Sequence, residues 1–324
     1  MQCLYIFKRD VYCLSNIMSS IFVPPPIQRI NSEIAHHAGV ALDVLRLDLM
    51  HPWVNGNKWF KLKYNLLEAK QKNLTTLLTF GGAYSNHIFA TAAAGNLLGF
   101  RTIGVIRGEE RLPLNSTLSF AVQQGMQLVY LNRERYRQRQ TVELQAELRQ
   151  QFGEVFIIPE GGSNLNGVRG CMEIIEAVGA VDTVCVACGT GTTLAGMALS
   201  LHQGQNAIAF PVLKNGDFLA AEIGNLLTNY LDSGMPAPNS TPASWELVCD
   251  YHFGGYAKVN DQLLQFAQQF TKDYNIPLDY VYTAKMFFGV MDLLQQGFFQ
   301  KGDRILLIHT GGLQGNIGIE QRLK

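Results

Sequence analysis

Charge is scarce in this sequence. Only 16% of its 324 residues are Asp, Glu, Lys or Arg, against roughly 25% in ordinary soluble domains. The 26 basic and 26 acidic residues cancel. A neutral chain lacks the broad positive field that grips nucleic acid or an anionic membrane, so neither partner is expected. Long apolar runs are also missing: nothing reaches the roughly 18 consecutive apolar residues of a membrane span. Cysteine is sparse and irregularly spaced, at Cys3, Cys13, Cys171, Cys185, Cys188 and Cys249. That excludes a disulfide framework and fits a reducing cytoplasm. No segment repeats at a fixed period, which sets aside solenoids and propellers. Residues 1–20 lack the unbroken apolar centre of a secretory signal, because Lys8, Arg9 and Asp10 interrupt it. They are expected to be a short appendage, with Met18 as an alternative start. Without export, the sequons at Asn73, Asn115 and Asn239 carry no meaning.

Apolar residues and glycine are plentiful, at 47% and 31 residues. The length is enough for two domains at about 150 residues each. After Pro24-Pro25-Pro26, β-rich apolar runs recur at Leu77–Phe80, Thr102–Ile106, Gln127–Leu131, Val155–Ile158, Thr183–Ala187, Ala207–Val212 and Ile305–His309. Segments of helical length lie between most of them, including Asn57–Lys72, Asn86–Leu98, Glu134–Gln151 and Thr192–Leu201. This alternation predicts an α/β fold with open, twisted, mostly parallel sheets flanked by helices. Ser233–Ser244, with three prolines, reads as a loop.

Three apolar runs end in glycine turns followed by polar residues: Gly81-Gly82-Ala83-Tyr84-Ser85-Asn86-His87, Gly189-Thr190-Gly191-Thr192-Thr193, and Thr310-Gly311-Gly312. Ligands of open α/β sheets bind beyond the carboxyl ends of strands, where such turns aim backbone N–H groups at anions. The Gly189–Thr193 turn offers bare amides and three hydroxyls to a phosphate. It is neither a Walker loop nor a dinucleotide fingerprint, since the lysine, the third glycine and the ribose-binding acid are all absent. A tight strand-to-helix turn with capping threonines is the plain alternative. Cys185 and Cys188 mimic a metal or redox pair, but no second pair exists, and buried inert thiols are the simpler reading. No histidine has metal-ligand spacing, so no metal is expected. Asn57 resembles a helix N-cap, which puts Lys58 in the first helical turn, where the dipole disfavours a cation. A lysine kept near positive partial charge is easily neutralised, which suits Schiff-base chemistry. On the residues alone, a solvated face of Lys58, Lys61 and Lys63 is the simpler reading.

Gly56-Asn57-Lys58-Trp59-Phe60-Lys61-Leu62, Thr79–His87, Pro159-Glu160-Gly161-Gly162-Ser163-Asn164, Gly189–Thr193, Tyr282-Thr283-Ala284-Lys285 and His309–Gly312 occur in an order that resembles one family. It is the group of pyridoxal-phosphate enzymes that holds D-cysteine desulfhydrase and 1-aminocyclopropane-1-carboxylate deaminase. The resemblance runs from about residue 25 to the C-terminus. It implies the tryptophan-synthase-β-like fold type II, with a large cofactor-binding domain of residues 21–63 plus 179–324 and an inserted small domain of 64–178. It implies that Lys58 carries pyridoxal 5'-phosphate as a Schiff base. Gly189, Thr190, Gly191, Thr192 and Thr193 would hold the phosphate, with Lys61. Asn86 would meet the phenolic oxygen and Thr310 the pyridine nitrogen. Ser85 and His87 would line the substrate side, binding its carboxylate or relaying a proton. Tyr282 would face the ring, and Tyr256 is a weaker match to a second active-site tyrosine.

The resemblance also bears on the substrate. The deaminases carry Glu and Leu where Thr283 and Thr310 stand, and usually Gln at the place of His87; the desulfhydrase side carries small hydroxyl residues at the first two. This points to β-elimination, most simply of D-cysteine to pyruvate, ammonia and hydrogen sulfide, with Lys58 or Tyr282 as α-proton base. Trp59-Phe60 and Ala83-Tyr84 depart from the family pattern and are expected to reshape the pocket. The alternatives are the deaminase reaction, a related D-amino-acid or sulfonate-amino-acid lyase, or, in another class, a non-catalytic binder of a phosphorylated small molecule. Family members are commonly homodimers, so a cytoplasmic homodimer acting on a small amino acid is the expected assembly.

Overall fold

The computed structural model describes residues 21–176 and 178–323. The expected appendage, residues 1–20, lies outside them. Among these residues, ten strands form two sheets: β1 (Ile27–Arg29), β2 (Ala41–Arg46), β3 (Thr76–Gly81), β4 (Arg101–Arg107), β5 (Met126–Leu131), β6 (Phe156–Ile158), β7 (Thr183–Cys188), β8 (Asn206–Pro211), β9 (Ser244–Leu247) and β10 (Arg304–His309). One sheet has the order β1-β2-β10-β7-β8-β9 and the other β5-β4-β3-β6. Only the β1–β2 pair is antiparallel. The expected α/β fold with two mostly parallel sheets is therefore present. The four strands of the smaller sheet lie together in the chain between β2 and β7.

Burial on both faces explains why the strands read as unbroken apolar runs rather than alternating ones. Along β7, Val184, Val186 and Cys188 enter one core cluster, while Cys185 and Ala187 enter another on the opposite face. The two cysteines are thus kept apart, free and buried, as the simpler reading had it.

Five helices shape the site: α1 (Asn57–Gln71), α2 (Asn86–Leu98), α3 (Leu165–Met172), α4 (Thr192–Ser200) and α5 (Thr283–Gln295). Close approaches lock α1, α3 and α4 together. A Cβ at Gly170 of α3 would fall 1.8 Å from the carbonyl oxygen of Phe60, and one at Gly196 of α4 would fall 2.5 Å from the Cβ of Cys171. Helix α1 runs unbroken across residues 63 and 64, where the domain edge was expected. The expected helix over Glu134–Gln151 is two, Arg133–Arg137 and Val142–Phe152, with Thr141 capping the second through its hydroxyl. No helix among the described residues is long and apolar enough to cross a membrane.

Candidate active site

The parallel strands deliver their turns to one cavity of about 540 Å³ between the sheets, within the few-hundred-Å³ range of small-molecule sites. The turn after β3 supplies Ser85, Asn86 and His87; the turn after β7 supplies Gly189, Thr190, Gly191 and Thr193; the turn after β10 supplies Thr310 and Gly312. Lys58 and Lys61 enter from α1, and Tyr256 and Tyr282 close another side. Most of the residues singled out in the sequence therefore line one space.

Gly56, not Asn57, is the N-cap of α1; its backbone has φ +64° and ψ −158°. A Cβ there would fall 1.9 Å from the Thr310 carbonyl oxygen. Only glycine lets the start of α1 sit against the turn after β10. This correction still leaves Lys58 in the first turn. Asn57 instead donates from Nδ2 to Thr193 Oγ1 at 3.0 Å, tying α1 to α4.

The lysines do not form a solvated face. Lys61 is 3% exposed and donates to Thr190 Oγ1 at 3.4 Å, while Lys63 pairs with Glu173 at 2.5 Å. The Lys58 amine lines the cavity with no hydrogen bond or ion pair recorded among the described residues. Burial, then the nearby Lys61 charge, hold its pKa well below 10.5. Desolvation of this kind raises the unprotonated, nucleophilic fraction of an amine.

Helix α4 starts at Gly191 with no side chain capping it. Its first-turn N–H groups are thus left for an anion. Thr190 and Thr192 hydroxyls lie 3.1 Å apart, and Thr192 donates to Ser163 Oγ at 2.8 Å. Thr192 is fully buried and braces the turn from behind rather than lining the cavity. Ser85 caps α2 by accepting from the Ile88 N–H at 3.3 Å, which leaves its own hydroxyl hydrogen free for the cavity. Asn86 accepts from Gln314 Nε2 at 2.8 Å through Oδ1, so its amide is oriented. Tyr282 and Tyr256 meet edge to face with centroids 6.1 Å apart. Burial and the neighbouring Tyr256 push the Tyr282 phenol well above 10, so it keeps its proton.

Two expectations are corrected. Thr283 does not line the cavity: it is fully buried, and its hydroxyl lies 3.0 Å from Asp279 Oδ2. Trp59 and Phe60 do not reshape the pocket, because both are buried in the core beside α1. Ala83 and Tyr84 do line it.

Asp279 is the main cavity residue that sequence reasoning missed. Its carboxylate accepts from the N–H groups of Val281, Tyr282 and Thr283 at 2.8–3.0 Å. It thereby fixes Tyr282 and the start of α5, a capping signal visible as an Asp shortly before a helical run. Burial raises its pKa against those hydrogen bonds. Arg107, Arg139 and Glu160 also border the cavity, Arg139 pairing with Glu160 at 2.8 Å.

An unpartnered, deprotonation-prone lysine, an uncapped helix N-terminus and an oriented amide, all on one cavity, fit an aldehyde cofactor bearing a phosphate. The sequence profile described as pyridoxal-phosphate dependent enzyme matches residues 23–311. A Pyrococcus horikoshii protein named "Putative 1-aminocyclopropane-1-carboxylate deaminase" is 30% identical over 311 residues, 92% of each chain. The Arabidopsis thaliana protein named bifunctional D-cysteine desulfhydrase/1-aminocyclopropane-1-carboxylate deaminase, mitochondrial, is 28% identical across 93% of this chain and 79% of its own. A solved structure described as an ACC deaminase homologue matches with TM-score 0.79 and 28% identity, over 96% of this chain and 98% of the other. The chain belongs to the pyridoxal-phosphate-dependent enzymes and has their type II fold. Within them it is a lyase of the D-cysteine desulfhydrase and aminocyclopropane-carboxylate deaminase family.

Proposed function

We propose that this lyase performs β-elimination on a small β-substituted amino acid, with D-cysteine the leading substrate and pyruvate, ammonia and hydrogen sulfide the products. The observation that carries the reading is the Lys58 amine, unpaired and held below its ordinary pKa in the cavity that also receives Ser85, Asn86 and Tyr282.

When bound, pyridoxal phosphate supplies the electron sink for the carbanion left by α-proton removal. Lys58 would anchor its aldehyde. The α4 amides, with Thr190, Thr193 and Lys61, would hold its phosphate, and Thr192 would brace that turn. Asn86 would address the phenolic oxygen and Thr310 the pyridine nitrogen. Of the two base candidates, Lys58 is the better, because a lowered pKa leaves more of its amine unprotonated and able to accept a proton, while the raised Tyr282 phenol stays protonated. Tyr282 is then a donor, suited to protonating the departing β-substituent. Ser85 has a free hydroxyl hydrogen to give the substrate. Thr283 acts at one remove, through Asp279 and Tyr282.

The names of the relatives favour a second reading, deamination of 1-aminocyclopropane-1-carboxylate. We further propose that residues 64–178 form the inserted unit, and that the protein is a cytoplasmic homodimer. Borohydride treatment of the cofactor-loaded protein, followed by peptide mass mapping, tests the site. The expected outcome is a pyridoxyl mass on Lys58. Lys58→Ala should carry no label and lose more than the about 10²–10⁴-fold of a lone acid–base group, with its circular dichroism unchanged. Label on another lysine, or turnover retained by the variant, contradicts the assignment; reversible phosphate-ester binding without label indicates a binder.

A further inference from the structure

His87 carries a nitrogen that the roles above leave unused. It lies in the first turn of α2, 2% exposed, on the cavity wall. Its Nε2 is 2.9 Å from Thr79 Oγ1. Thr79 Oγ1 is in turn 2.8 Å from the carbonyl oxygen of Ile158. A carbonyl only accepts, so the one hydroxyl hydrogen of Thr79 goes to Ile158. Thr79 then has only lone pairs to offer the imidazole, and Nε2 must bear the hydrogen. In the neutral ring Nδ1 is left as a bare acceptor. It is buried and has no partner among the described residues.

The ring is neutral, because burial holds its pKa well below 6.5. Its supports are rigid. Thr79 is fully buried in β3 and pairs in register with Ile158, the last residue of β6. Gly162 closes on the other side: a Cβ there would lie 3.3 Å from His87 Cε1 and 2.9 Å from the Lys61 Cβ.

We propose that Thr79 is a positioning residue that locks His87 as the Nε2–H tautomer, leaving Nδ1 as a bare acceptor. With its Nε2–H spent on Thr79, the neutral side chain has no N–H to give a substrate carboxylate. Of the two roles expected for His87, carboxylate binding by the side chain therefore gives way to proton relay through Nδ1. That role rests on the β-elimination reading given above; the tautomer does not.

The test is ¹⁵N NMR of the histidine-labelled holoenzyme, with the His87 signals assigned by their loss in His87→Gln. The expected spectrum has Nε2 in the protonated range and Nδ1 in the non-protonated range. Thr79→Ser should preserve this pattern and keep kcat/KM within a few-fold. Thr79→Val should mix the tautomers and lower kcat/KM about 10–100-fold, by analogy with loss of a group that orients a metal-bound imidazole. Protonated Nδ1 in the wild-type protein, or an unaltered tautomer in Thr79→Val, overturns the proposal. Because the wild-type spectrum needs neither turnover nor a variant that folds, its failure is separable from failure of the β-elimination reading.

Discussion

Burial gives single residues of this chain a chemistry that their type alone does not. The Lys58 amine is depressed by the same desolvation that raises the thiols of Cys171 and Cys188 to about 11. The lysine is made reactive and the thiols inert, because desolvation disfavours the charged form of each. Iodoacetamide at pH 7.5 should therefore spare Cys171, Cys185 and Cys188 in the native protein and modify all three after denaturation, as read by peptide mass mapping. Native labelling at any of them would show that the core opens. Lys58 was legible as the candidate cofactor lysine only weakly from the residues, as a cation at a helix start, and more fully by family resemblance. Asp279 was passed over because a carboxylate that caps a helix looks like any loop aspartate until Tyr282 and Thr283 fold back onto it. Thr283 was placed against the substrate because a motif reports neighbours in sequence, not the direction a hydroxyl takes.

Elements were legible where burial on both faces made apolar runs, and blurred where it did not. Strands β3 to β8 and β10 fall on the expected runs to within a residue or so. Edge strand β9 was hidden: it starts at Ser244, the last residue read as loop, and its four residues alternate between exposed and half-buried. At the joints, Gly56 holds α1 against the turn after β10. Gly56→Ala should cost about 1–3 kcal/mol, the range for a side chain forced into a glycine-only backbone region, and should weaken cofactor retention; denaturant titration and absorbance of the bound cofactor read the two effects. Helix α5 is tied to the turn before Tyr256 by Lys285, whose amine donates to the carbonyls of His252 and Gly255 at 2.9 and 2.7 Å. Burial lowers its pKa to about 8 from 10.5. Below about 8 both the folded and unfolded chains hold this proton. Between about 8 and 10.5 only the unfolded chain does, so the Lys285 contribution to stability rises with pH across that window. The difference in unfolding free energy between wild type and Lys285→Met should be flat from pH 6.5 to 7.5 and climb from 8 to 10. A difference that falls with pH would mean that Lys285 is held charged.

At the scale of the whole molecule, one cavity receives the carboxyl ends of strands from both sheets. No single segment builds it: Lys58, Asn86, Gly189 and Thr310 span most of the chain. Alternating strands and helices therefore revealed the fold class, while the convergence of three distant turns on helix α1 could be read only through the order of the family's motifs. Substrate choice is a property of that assembled space, where Arg107 and Arg139 stand at positions no motif marked. The most direct test is 2-oxoacid release by the cofactor-loaded enzyme offered D-cysteine, L-cysteine and 1-aminocyclopropane-1-carboxylate in parallel. Pyruvate from D-cysteine, matched by sulfide and exceeding both other substrates in kcat/KM, is the expected result. 2-Oxobutyrate from the cyclopropane substrate as the dominant product, or no product from D-cysteine while Lys58 still carries the cofactor, would contradict β-elimination of D-cysteine.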